Sequence, residues 1–171
     1  VAVYAADGSL ITPILERTAA ELEPPRELDA GLREVAAREN LVVGEVVATA
    51  LGPRVPVVVP LRADDRVTGF AATWLSTAAI DDRVESLADT HFTDVPGGVF
   101  VVDARRRVLA HPDRELVDSL ATLPATGILD GFERIELPSR FSRASEFTTD
   151  EGIEMVGTVV ALADRPWVVA A

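Results

Sequence analysis

The sequence predicts an α+β protein made of two tandem modules, each a roughly five-stranded antiparallel sheet with flanking helices. Three observations predict it. One segment occurs twice: residues 1–13 read VAVYAADGSLITP and residues 99–111 read VFVVDARRRVLAH, so a shift of 98 positions (99 minus 1) puts Val1 on Val99, Val3 on Val101, Leu10 on Val108 and Ile11 on Leu109. Each copy is a β-branched run, a polar turn and a second apolar run, which is the pattern of a hairpin. Both copies also end alike, in VVVPLRADDRVTGFAATW at 57–74 and VVALADRPWVV at 159–169: a strand, a charged turn (62–66, 164–166) and a strand carrying a tryptophan. Finally, a 48% hydrophobic content over 171 residues supports packed cores rather than disorder. A unit that opens and closes the same way twice is an internal repeat.

Taken in order, residues 1–4 and 10–12 form the first hairpin, turning at Asp7-Gly8. Ile14, Leu15, Thr18, Ala19 and Leu22 recur at helical spacing until Pro24-Pro25 stops them. Leu28, Leu32, Val35 and Ala36 mark a second helix that ends near Asn40. Strands at 44–51, 55–61 and 67–75 follow, with turns at Gly52-Pro53 and Ala63-Asp64-Asp65. The first module therefore spans 1–76. A linking helix and loop occupy 77–97, with Thr77 as N-cap and Asp81 and Asp82 in the first turns. Ile80, Val84, Leu87, Ala88 and His91 share one face of that helix, and Pro96-Gly97-Gly98 breaks the chain after it. The second module, 98–171, has a hairpin at 99–102 and 107–110, a loop opened by His111-Pro112-Asp113, and a short helix near 115–123. Residues 132–137 form a strand or an irregular connection, and strands at 143–147, 153–161 and 167–170 complete the sheet around the turn Asp150-Glu151-Gly152.

Composition excludes several classes of function. A net charge of −12 disfavours nucleic acid and anionic lipid headgroups, which need a basic surface. With no cysteine there is no disulfide, thiol catalysis or zinc ribbon. All 16 basic residues are arginine, with no lysine or glutamine in the chain, as a GC-rich genome would encode. No apolar run reaches the roughly 18 residues of a membrane span, and no signal peptide is visible. The sequence opens on Val1, inside an expected strand, as a segment of a longer chain would.

Catalytic signatures are missing: there is no GxSxG, Walker A, GxGxxG or HExxH pattern. His91 and His111 are the two histidines, too few for a histidine-rich metal site, and no cofactor is called for. Asp64-Asp65 and Asp81-Asp82 offer oxygen ligands but match no calcium loop, and read as solvated turn and helix-start carboxylates. His111 reads as a ligand contact or a pH-sensitive hinge, against a loop residue whose imidazole fixes the strand exit through the backbone. Arg105-Arg106-Arg107 reads as a solvated turn. Trp74 and Trp167 fall at matching positions in the two modules, each as a core anchor or a pocket wall, with the core favoured for Trp167.

The run VFVVDARRRVLAHPD at 99–113 resembles the opening of a Cache-type sensor module: an apolar strand, Asp, a turn, Val-Leu and then His-Pro. The closing RPWVVAA resembles that family's last strand, and the order ββ-αα-βββ of the first module is the PAS-like plan. Two such modules resemble a double-Cache domain. That resemblance implies a non-enzymatic, extracytoplasmic ligand-sensing region of a bacterial membrane receptor, tethered through flanking helices and passing ligand occupancy to a cytoplasmic output module. The sequence departs from the family at Arg106, where the turn glycine present as Gly8 is usual, and the long N-terminal helix is absent from these residues. The amino-acid-binding subgroup's pattern of Tyr, Arg-x-Trp, Tyr and Asp does not carry over: Tyr4 is the single tyrosine, and Arg165-Pro166-Trp167 lies in the second module's closing turn. The expected ligand is a small uncharged or singly charged metabolite. Its expected contacts are Tyr4, Thr49, Thr73 and Trp74 in the first module, and Phe100, His111, Arg143 and Ser145 in the second. The chain by itself is expected to be monomeric or weakly dimeric, with no nucleic-acid partner. The competing reading is a cytoplasmic, ligand-free PAS- or GAF-like dimerisation module.

Overall fold

The hairpin that opens each half of the chain organises it. A computed structural model describes residues 1–13, 23–92, 98–131, 141–149, 152–162 and 167–171. Their contacts divide the chain into two units, Val1–Ser76 and Thr77–Ala171.

In the first unit, β1 (Ala2–Ala5) and β2 (Leu10–Pro13) turn at Gly8, whose φ of +91° suits glycine. Ala5 N–H donates to Ser9 O and Gly8 N–H to Ala5 O, both at 2.9 Å. After the hairpin come α1 (Ala30–Arg38), β3 (Val42–Val43), β4 (Arg54–Ala63) and β5 (Arg66–Ser76). The antiparallel sheet has the order β2-β1-β5-β4-β3. Asp29 caps α1 by accepting the Leu32 N–H at 2.9 Å. The register Ala2↔Ala72 and Tyr4↔Phe70 puts these four residues on one face, where they form the core with Leu28, Ala36 and Val58. The helix expected at 14–22 lies outside the described residues.

One expected strand is not formed. The pattern of residues 44–51 is that of a strand, but pairing with β4 is confined to Val42 and Val43 and one isolated bridge, Val47↔Arg54. The break falls opposite Pro56. Its carbonyl accepts the Gly44 N–H at 2.8 Å, but proline has no N–H to return, so the ladder stops. Residues 49–52 then turn back into β4, with the Gly52 N–H on Thr49 O at 3.0 Å.

In the second unit, α2 (Ala78–His91) precedes β6 (Phe100–Asp103), β7 (Val108–Ala110), α3 (Arg114–Asp118), a 3-10 turn at Gly127–Leu129, β8 (Ser142–Thr148), β9 (Glu154–Ala161) and β10 (Trp167–Ala170). The sheet order is β7-β6-β10-β9-β8, element for element that of the first unit. Its core gathers Val102, Val108, Val117, Leu129, Val159, Val168 and Ala170. The contacts group α2 with this unit, through β7. The expected helix over 115–123 is shorter. Leu120, at φ +47°, ends it in a left-handed cap, with the Leu120 N–H on Val117 O at 3.0 Å and the Ala121 N–H on Leu116 O at 2.9 Å. The connection at 132–137 and the turn at 150–151 lie outside the described residues.

The repeat extends to single hydrogen bonds at the shift of 98. Ala5→Ser9 becomes Asp103→Arg107 at 3.0 Å, and Gly8→Ala5 becomes Arg106→Asp103 at 2.8 Å. Leu28→Gly8 becomes Leu123→Arg106, both at 2.9 Å, the acceptor at the shift of 98 and the donor at 95 (123 minus 28). Arg106, at φ +61°, takes the left-handed conformation that Gly8 holds in the first copy. The expected equivalence of the tryptophans fails. Ala72 pairs with Ala2 and Ala170 with Phe100, so Ala72 matches Ala170, and Trp167 matches Gly69 (167 minus 98). Trp167 is half-buried and lies outside the core cluster; its neighbour Val168 is the buried anchor.

Candidate functional site

In the first unit the inner sheet face presents Pro56 from β4 and Trp74 from β5, which are directly paired. Opposite them, the chain between Pro25 and α1 supplies Leu28, α1 supplies Leu32, and the irregular stretch that replaces the expected strand supplies Val47, Ala48 and Thr49. Together they enclose a cavity of about 460 Å³. Glu23, Glu27 and Asp29 also line it, giving an apolar and aromatic floor with a carboxylate side. An apolar pocket with a few polar groups is the usual form of a small-molecule site.

The four residues expected there play different parts. Trp74 forms the wall. Tyr4 lies behind it, fully buried, its ring edge-on to Trp74 at 6.5 Å between centroids. The Tyr4 hydroxyl donates to Pro25 O at 2.9 Å, pinning the chain that roofs the cavity. Burial pushes the phenol up to about 12. Thr49 lines the cavity from a turn rather than a strand. Its hydroxyl donates to Gly52 O at 2.7 Å and accepts the Leu51 N–H at 3.2 Å. Thr73 pairs with Val57 and, next to Trp74 on the same strand, points to the opposite sheet face.

The second-unit candidates do not form one group. Phe100 stands on β6, whereas Arg143 and Ser145 stand on β8, with β10 and β9 between. Arg143 Nη2 donates to Ile128 O at 3.0 Å. Its Nε and the Ser145 hydroxyl are buried with no hydrogen-bond partner among the described residues. Phe100 instead meets His111, with ring centroids 5.7 Å apart. His111 Nδ1 accepts the Asp113 N–H at 2.8 Å, and the His111 N–H donates to Asp81 Oδ1 at 3.3 Å. Desolvation holds the imidazole below its ordinary range, against the pull of Asp113 and Asp81.

Asp81 was expected to be solvated and is buried, 4% exposed. It lies in the stripe that α2 turns inward with Val84. A buried carboxylate needs a partner, and Arg114 supplies one at 3.1 Å while also reaching Glu85 at 3.1 Å and Asp82 at 3.7 Å. The hydrogen bond that Arg114 donates to Glu85, then the charges of Asp81, Glu85 and Asp82, favour the Arg114 cation. Among the described residues no group of three or more His, Asp or Glu lies together as a metal site would require. No helix among them is long and apolar enough to cross a membrane.

No protein-family model and no curated protein matches the sequence. Solved structures match its fold. The ligand-binding domain of Mlp24 with asparagine superposes with a TM-score of 0.64 at 16% identity, over 99% of this chain and 66% of that one. The ligand-binding domain of the Pseudomonas aeruginosa amino-acid chemoreceptor PctC, in complex with GABA, gives 0.64 at 21% identity, over 99% and 72%. The extracellular domain of the putative histidine kinase mmHK1S-Z2 gives 0.61 at 13% identity, over 81% and 53%.

The fold is double-Cache-like. The chain spans between about half and seven-tenths of the length of these structures. In this double-Cache-like fold the cavity beside Trp74 belongs to the first module. Sequence reasoning found Trp74 and Thr49 but missed Pro25, Leu28, Leu32 and Pro56. Pro24-Pro25 read only as a helix stop, although the same prolines carry an extended segment across the Tyr4 hydroxyl.

Proposed function

We propose that this chain is the extracytoplasmic ligand-sensing region of a bacterial membrane receptor, non-enzymatic in itself, and that its first module binds a small metabolite between Trp74, Pro56 and the segment roofed by Pro25 and Leu28. The observation that carries this reading is the cavity of about 460 Å³ on the inner face of the first sheet. The ligands named for Mlp24 and PctC support it, since both are small molecules held by domains of this fold. The second module transmits occupancy through its last strand, β10, which runs to Ala170. Transmission requires that the ligand bind two conformations with different affinity. The full-length protein is tethered by flanking apolar helices of about 20 residues. The 171-residue chain alone is monomeric or weakly dimeric, its charge of −12 opposing self-association.

A thermal-shift screen of amino acids, carboxylates, amines, purines and polyols at millimolar concentration tests the proposal. A ligand at a hundredfold excess over its Kd adds about 2.7 kcal/mol to the folded state. A binder should raise the midpoint by several degrees. A uniformly flat screen, with a full-length gene lacking flanking apolar segments, favours the ligand-free dimerisation module instead.

A further inference from the structure

We propose that His111 is a proton-operated release for α2: protonation of its ring unfastens the Asp113 turn and, through Arg114, loosens the hold of the segment between β7 and α3 on Asp81. The ring nitrogen Nδ1 accepts the Asp113 N–H at 2.8 Å, which places the neutral ring's proton on Nε2. An imidazolium carries a proton on both nitrogens. Nδ1–H would then face the Asp113 N–H, donor against donor, and the bond cannot persist.

The consequences follow along three residues. Asp113 Oδ1 caps α3 by accepting the Glu115 N–H at 2.9 Å. A new imidazolium two residues away draws that carboxylate off the cap. Arg114, between them, holds Asp81 at 3.1 Å, and the His111 N–H holds the other oxygen of the same carboxylate at 3.3 Å. Both bonds to a carboxylate only 4% exposed therefore start from the segment that the proton disturbs.

Among the described residues, the charged groups near the ring come from α2 and from the start of α3. Asp81 faces it from α2, with Asp82 and Glu85 on the same helix engaged by Arg114. Asp113 and Arg114 come from the start of α3, and from β6 the Phe100 ring packs against the imidazole. Asp81 and Asp113 favour the proton, whereas the half-buried setting against Phe100 opposes it more strongly, so the switch operates below the ordinary histidine range.

The test is a nuclear magnetic resonance titration of the 171-residue chain from pH 8 to 4.5, following the His111 ring nitrogens and the protection factors of backbone amides. At pH 8 the ring should carry its proton on Nε2. Protection of the Asp113 and Glu115 amides should fall at least tenfold with the midpoint of His111, while β4 amides keep theirs. His111→Asn, which offers an acceptor oxygen near the Nδ1 position and does not titrate, should hold protection constant. Should that variant fail to fold, the wild-type readings decide alone. Unchanged Asp113 and Glu115 protection through the His111 midpoint, or a proton found on Nδ1 at pH 8, overturns the proposal.

Discussion

Arg33 and Arg106 place a guanidinium on the same carbonyl of the two modules from different positions in the chain. Arg33 reaches from α1 to Leu28 O at 3.2 Å, while Arg106 reaches from its own hairpin turn to Leu123 O at 2.9 Å. Leu28 and Leu123 are equivalent, because each donates its N–H to the turn residue, Gly8 or Arg106. The exchange has a steric logic. A Cβ on Gly8 would stand 2.6 Å from Arg33 Nε, so the missing side chain in one module is the space that its arginine fills.

Gly8→Ala should therefore destabilise the first module by about 1–3 kcal/mol, from the left-handed backbone and the displaced Arg33 together. Arg106→Gly should stay within about 1 kcal/mol of wild type, since relief of its φ of +61° offsets the lost bond to Leu123. Urea denaturation of the two variants measures the contrast, and a Gly8→Ala midpoint equal to wild type would refute it.

Tyr4 is the only tyrosine, so alkaline absorbance titration reports on it alone. Its ionisation should be delayed from the ordinary value near 10 to about 12. The folded state then keeps a proton that the unfolded chain loses, so stability declines as pH rises from 10 towards 12. An ionisation midpoint at 10 in the folded chain would place the hydroxyl in water.

His111 contributes a pH dependence of the opposite kind. Its folded value is depressed by desolvation, so below about 6.5 the unfolded chain takes up the proton first. Its contribution is fully present above the unfolded value and is lost as pH falls through the folded one. Comparing wild type with His111→Asn in denaturant melts at pH 7.5 and 5.5 isolates the effect. Wild type should lose more stability than the variant over that interval.

Asp81→Ala should cost about 2–4 kcal/mol, since it removes the acceptor of the His111 N–H and the buried partner of Arg114. Asp82→Ala, at an exposed carboxylate 3.7 Å from the same guanidinium, should cost under about 1 kcal/mol. Equal losses in denaturant melts would show that Asp81 is not the fastening point.

Much of the fold was legible because the repeat is written in β-branched strands and polar turns. The hairpins, the linking helix and the closing strands lie within a residue or two of their expected places. Local pattern failed where a single backbone group decides the outcome. Val46 and Val47 look like strand, but the missing N–H of Pro56 ends the ladder beside them. The cavity was less legible for a related reason. Thr73 and Trp74 were both offered as contacts, yet strand neighbours face opposite ways, and Asp81 looked solvated because its partner Arg114 lies 33 positions on (114 minus 81). Pairings at that distance leave no mark in local periodicity.

The central claim is that a small molecule binds beside Trp74. Trp167→Phe leaves Trp74 as the sole indole, and its emission can be followed against each compound that raises the melting midpoint. A saturable change in Trp74 emission, with a Kd matching the stabilisation, is the predicted result. A compound that stabilises the chain while Trp74 emission stays constant through saturation would contradict the assignment of the site to the first module.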